Sequence, residues 1–251
     1  MKNNNLYNYI LGIADNSLIL GQRLGELCGH GPTLETDIAG TNISLDLFGQ
    51  VRSYFQYAAK IAGDGRTEDD IAMLRKEREY KNVLLVEQPN TNFAYTIARQ
   101  FLFDAYHLAF LSELQKSTDL TLSAIANKCI KEVSYHERFS SDWVKRLGDG
   151  TDESKAKMQE AINDLWMYTE ELFHQTDEDK VMVEESVGVD VTKLKDGYYK
   201  YVSEVLEEAG LIVPESKYFH KGGKQGIHTE HLGYLLADLQ YMQRTYPNME
   251  W

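Results

Sequence analysis

Four long stretches of the chain carry apolar residues at alternating steps of three and four, the spacing of one helix face. The first reads Leu6, Ile10, Ile13, Ser17, Leu20, Leu24, Leu27, and the second Ile43, Leu47, Gln50, Tyr54, Tyr57, Ile61. The third reads Phe93, Ile97, Phe101, Asp104, Leu108, Leu111, and the fourth Leu122, Ile125, Cys129, Val133, His136, Ser140, Trp143, Leu147. No stretch alternates like a half-buried strand. The GHGP turn at 29–32, Pro89 and the GDG turns at 63–65 and 148–150 punctuate the pattern. They predict helices over about 6–28, 34–62, 91–116 and 120–147. Shorter helices are expected over 68–80, 152–174 and 191–209. VLLVEQPN reads as a connection, HQTDEDK as a loop, and 213–228 as irregular and glycine-rich; Thr229 caps a last helix to Arg244. The expectation is one all-α domain over 1–251, a four-helix bundle over about 5–150 with accessory helices and a strap over 151–251.

Each stripe has a hydrogen-bonding residue near its middle: Ser17, Gln50, Asp104 and His136. A buried carboxylate needs a partner, so Asp104 is expected to pair with His136, with Gln50 and Ser17 in support. Ser17 can instead bond a carbonyl one turn back. A di-iron centre asks for about four carboxylates and two imidazoles, and the stripes fall far short. Asp15, Asp46 and Glu132 lie one position off-stripe, about 100° round their helices. Glu132 lies four residues before His136, so one metal bound off-axis is conceivable. The alternative reading is a divergent metal-dependent oxidase using Asp46, Asp104, Glu132 and His136.

A formal charge of −13 argues against a nucleic-acid partner, and no apolar run is long enough to cross a membrane. The N-terminus does not have the form of a signal peptide, which suits a cytoplasmic protein. Cys28 and Cys129 belong to no Cys/His cluster and read as two buried thiols. The segment HKGGKQGIHTEH offers Lys221, Gly222, Gly223, Lys224 and His228 as a candidate anion- or partner-contact loop; the plainer reading is a strap over the bundle. His228 and His231 have no third ligand nearby for a zinc site. The aromatic SYFQYAA face suits core or interface, and the acidic runs TDEDK and EDD suit solvated surface.

Five blocks carry a resemblance: LGIADNSLILGQRLGELCGHGPTLE, ISLDLFGQVRSYFQYAA, LLVEQPNTNFAYTIARQFLFDAYH, KEVSYHERFSSDWVKRLGDGT and GGKQGIHTEHLGYLLADLQYMQR. Together they resemble, end to end, the non-catalytic ferritin-like subunit of the bacterial phenylacetyl-CoA epoxidase family. The catalytic paralogue carries D-E-A-G-H where this chain has Asp46-Leu47-Phe48-Gly49-Gln50. It carries K-E-E-S-F-H where this chain has Lys131-Glu132-Val133-Ser134-Tyr135-His136. The resemblance therefore implies a dismantled metal site at Ser17, Leu47, Gln50, Asp104, Val133 and His136, with no catalytic residue and no metal. It implies a catalytic di-iron subunit as partner, a reductase with FAD and iron–sulfur groups fed by NADPH, and no cofactor on this chain. When alone, the chain could form a homodimer.

Overall fold

The computed structural model describes residues 2–247 and 249, and only the backbone at residues 2 and 3. Four long helices dominate: α1 (Lys2–Glu26), α2 (Leu34–Ala62), α4 (Phe93–Leu114) and α5 (Leu120–Gly148). Between them lies the short α3 (Glu68–Met73); after them come α6 (Asp152–Trp166), α7 (Asp177–Glu184), α8 (Lys195–Glu208) and α9 (Glu230–Thr245). No strand occurs among the described residues. The all-α class expected from the stripes is what forms.

Local chemistry sets the ends. Thr33 caps α2 with a capping box, and Gly63 closes it in the left-handed conformation (φ 64°), which glycine adopts without strain. Asn92 starts α4 and Asp119 starts α5 through their side-chain oxygens. Thr229 stands at the α9 N-cap, but its side chain makes no cap bond; its backbone N–H goes to Glu87 Oε1 at 2.7 Å. Three expected elements differ. The helix over 68–80 stops at Met73 and resumes as a 3-10 turn at Glu77–Glu79, because Arg75 leaves the helix to reach Asp15. The helix over 152–174 ends at Trp166, and a 3-10 turn (Glu170–Phe173) aims Glu171 inward. HQTDEDK is not a loop throughout: Thr176 and Asp179 form a capping box that opens α7. The acidic runs thus serve as first helical turns as well as surface.

α1 packs along α2, and α4 along α5; α2 meets α5 across the middle, α6 and α8 cover α4 and α5, and α7 covers α1. One contiguous apolar cluster runs from Tyr9 to Leu236. Cys129 is buried as expected, but Cys28 is exposed in the turn after α1, beyond the reach of the core.

The connection over 83–88 is itself buried, so its backbone needs internal partners. Asn16 Oδ1 accepts from Val83 N at 2.8 Å, and Glu171 Oε2 from Leu84 N at 2.7 Å. Arg23 donates to the Glu87 carbonyl from Nε (3.1 Å) and Nη2 (2.8 Å), and Arg99 donates to that of Gln88. Arg75, over the Tyr80 ring at 4.2 Å, makes a two-armed ion pair with buried Asp15, which also accepts from Lys81 N at 2.8 Å.

Candidate functional site

Ser17, Leu47, Gln50, Asp104, Val133 and His136 all lie in the interior, each at most 1% exposed. They come from α1, α2, α4 and α5. Leu47 and Val133 fill their places with aliphatic carbon, and the other four present polar atoms.

The expected pair of Asp104 with His136 does not form. Gln100, one turn back on α4, donates to Asp104 Oδ1 at 2.7 Å, and Ser140 on α5 reaches Oδ2 at 2.9 Å. His136 turns the other way, and its Nε2 lies 3.1 Å from Asp46 Oδ2 at the seam between α2 and α5. The off-stripe acids lie nearer to the chemistry than the stripe suggests. A helix-wheel position 100° from the inward direction still reaches a neighbouring helix when two helices lie side by side. Gln50 follows the same seam, donating Nε2 to Glu132 Oε2 at 3.2 Å. The expected bond of Ser17 to a carbonyl one turn back is also absent, and its Oγ has no partner.

Burial sets the charge states. It drives the Asp104 carboxyl well above the usual carboxylate range, against the opposing bonds of Ser140 and Gln100. His136 is pushed down by burial, which Asp46 only partly offsets. His107, one turn beyond Asp104, is pushed down to about 3 by burial and by neighbouring His136. Glu132 is pushed up by burial and by Asp46. The centre therefore favours one neutral carboxyl and two neutral imidazoles. Polar atoms on all four helices lack a partner there: Ser17 Oγ, Gln50 Oε1, Tyr54 Oη, Gln100 Oε1, His107 Nδ1 and His136 Nδ1. Of these residues, Gln100 and His107 are not picked out by the stripes. Their one sequence signal is their spacing of four before and three after Asp104.

Two irons would need several ionised carboxylates around one point. One carboxyl, one imidazole, a hydroxyl, an amide and two aliphatic side chains do not fit that group. The alternative set of Asp46, Asp104, Glu132 and His136 is not assembled, because Asp104 faces Gln100 and Ser140. Among the described residues, no three His, Cys, Asp or Glu side chains are grouped to hold a metal ion. A cleft between α1, α4 and α7, with Phe103, Tyr106 and His107 in its wall, has a volume of only about 50 Å³. Ligand sites for small molecules run to roughly 300–1,000 Å³.

The glycine-rich segment is a strap fastened to the buried connection. Glu171 Oε1 accepts from Gly222 N at 2.7 Å, so that N–H is not free for an anion. A Cβ on Gly223 would collide with the Asn82 carbonyl oxygen. Lys224 Nζ donates to the carbonyls of His174 (2.7 Å) and Leu172 (3.3 Å), and His228 is enclosed between Glu87 and Tyr80. Of the candidate contact residues only Lys221 is exposed.

The family model described as phenylacetic acid catabolic protein matches residues 1–251. A relative from Escherichia coli (strain K12), one of the subunits of its 1,2-phenylacetyl-CoA epoxidase, is 51% identical over 248 residues, covering 99% of this chain and 100% of its own length. No described helix is long and apolar enough to cross a membrane. The end-to-end match bears out the resemblance drawn from the five sequence blocks: the chain belongs to the phenylacetic acid catabolic protein family.

Proposed function

We propose that the chain is the structural, non-catalytic subunit of a cytoplasmic phenylacetyl-CoA epoxidase complex, with a ferritin-like bundle that binds and stabilises the di-iron catalytic subunit. In that complex the sister subunit holds the metals, and a reductase with FAD and iron–sulfur groups delivers electrons from NADPH to reduce O2. This chain holds none of these groups. The observation that carries the reading is the composition of the bundle centre. Where a di-iron protein needs about four carboxylates and two imidazoles, this chain has Leu47, Val133, Ser17 and Gln50 beside a single Asp104 and a single His136. An empty cluster of carboxylates would repel itself in a low dielectric, and aliphatic replacement removes that cost.

The test is co-expression with the catalytic subunit. The proposal expects the two to co-purify, and epoxidation by the catalytic subunit with its reductase to need this chain. A catalytic subunit that is stable and fully active without it would overturn the proposal.

A further inference from the structure

Exposed positions on α2 are 34, 35, 38, 42, 45, 49, 52, 56 and 60, and after the first turn they form a regular outer stripe. From Arg52 onward this stripe is polar, as a wetted helix face should be. Past Leu34 and the charged Glu35 of the first turn, its first part reads Ile38, Asn42, Leu45, Gly49, which is about 17 Å of helix at 1.5 Å per residue without one charge. The three aliphatic side chains stand 71%, 51% and 61% exposed. Gly49 lies inside the helix with nothing within 4 Å of where its Cβ would be, so no contact within this chain requires glycine there. Beside the stripe a groove of about 480 Å³ opens between α2, α3 and α9, with Phe48, Val51, Met73 and Leu239 among its walls.

On the other flank stand Asp46 and Glu132. Their side chains meet His136 and Gln50, and neither makes an ion pair with a Lys or Arg among the described residues. Lys128 acts on Glu132 from one turn away without pairing with it. Two neighbouring acids with no Lys or Arg bonded to them, beside an uncharged aliphatic stripe, form a surface that a positively charged group would complete.

We infer that this face of α2 receives the sister subunit of the complex, through a helix bringing an apolar stripe and a cationic side chain opposite Asp46 and Glu132. The inference rests on the function proposed above. A second copy of this chain suits the face less well, because a two-fold contact sets a patch against itself and each copy carries a formal charge of −13. Gly49 would let the partner helix approach closely, and the groove would take one of its side chains.

The experiment co-expresses the catalytic subunit with the wild-type chain, with Ile38→Glu/Leu45→Glu, and with Tyr234→Glu/Tyr241→Glu on the exposed side of α9. The inference expects the α2 variant to lose at least tenfold in co-purified partner and the α9 variant to retain it. Hydroxyl-radical footprinting of the wild-type complex reads the same face without substitution, and should show Ile38 and Leu45 losing reactivity on assembly. If the wild type co-purifies while Ile38 and Leu45 stay reactive, the inference falls and the proposed function stands. If the wild type fails to co-purify, the proposed function itself falls. Protection of the stripe in the isolated chain, as a dimer, would overturn the choice of partner.

Discussion

His228 sets both ring nitrogens against oxygen acceptors: Nδ1 lies 3.0 Å from Glu87 Oε2 and Nε2 3.0 Å from the Tyr80 carbonyl. A neutral imidazole has one N–H, so two acceptors call for the imidazolium form. The Glu87 and His228 side chains are both sealed from solvent, and the ion pair fastens the C-terminal strap to the buried connection. Burial opposes the charge, but Glu87, the Tyr80 carbonyl and Asp15 together raise the His228 pKa above its ordinary 6.5. A raised histidine contributes stability that is complete below about pH 6.5 and is lost as pH rises through the folded value. Thermal unfolding of the wild type should therefore weaken with pH in the alkaline direction, and His228→Gln should flatten that slope. Equal slopes would show that the strap does not depend on the charge.

Asp104 has the opposite consequence. Its folded pKa lies well above the unfolded 3.8, so from about pH 4 upward the acid costs stability until the folded value is reached. Asp104→Asn can still accept from Gln100 and can donate to Ser140, so it should melt above the wild type at neutral pH, the gap closing toward pH 4. Asp104→Ala removes the partner of both Gln100 and Ser140 and should cost about 1–3 kcal/mol. Denaturant unfolding of the two variants side by side checks the sign.

Asp15 and Arg75 form the other buried ion pair, 0% and 7% exposed in their side chains. Removing the acid strands a buried guanidinium. Asp15→Ala should lower stability by about 3–5 kcal/mol and free the 74–82 segment for proteolysis. A loss below about 1 kcal/mol would mean that water replaces the carboxylate.

Gly223 touches the connection too closely for any side chain. Gly223→Ala should cost about 1–3 kcal/mol through overpacking against Asn82. Hydrogen exchange should rise at 80–90 and 220–230 together, because the two segments hold each other.

The long helices are legible because burying one face writes a three-and-four spacing into the sequence; for α2 the expected bounds coincide with the observed Leu34 and Ala62. The short elements are not, because tertiary bonds set them. Arg75 stops α3 by reaching a residue on α1, and the inward turn of Glu171 depends on Leu84 and Gly222. At the centre, periodicity identifies which residues face inward but not which neighbour each one meets. That is why the stripes suggest a pair of Asp104 with His136, while Gln100, Ser140 and Asp46 hold them in the fold. The strap chemistry is hidden for the same reason: Glu87 and His228 lie 141 residues apart.

The most direct test of the central claim is the iron content of the chain expressed alone in iron-replete medium and purified without chelator. A scaffold role predicts iron far below one atom per chain and no absorption from an oxo-bridged pair. Near-stoichiometric iron, bound tightly enough to survive gel filtration and lost on substitution of His136, would contradict it.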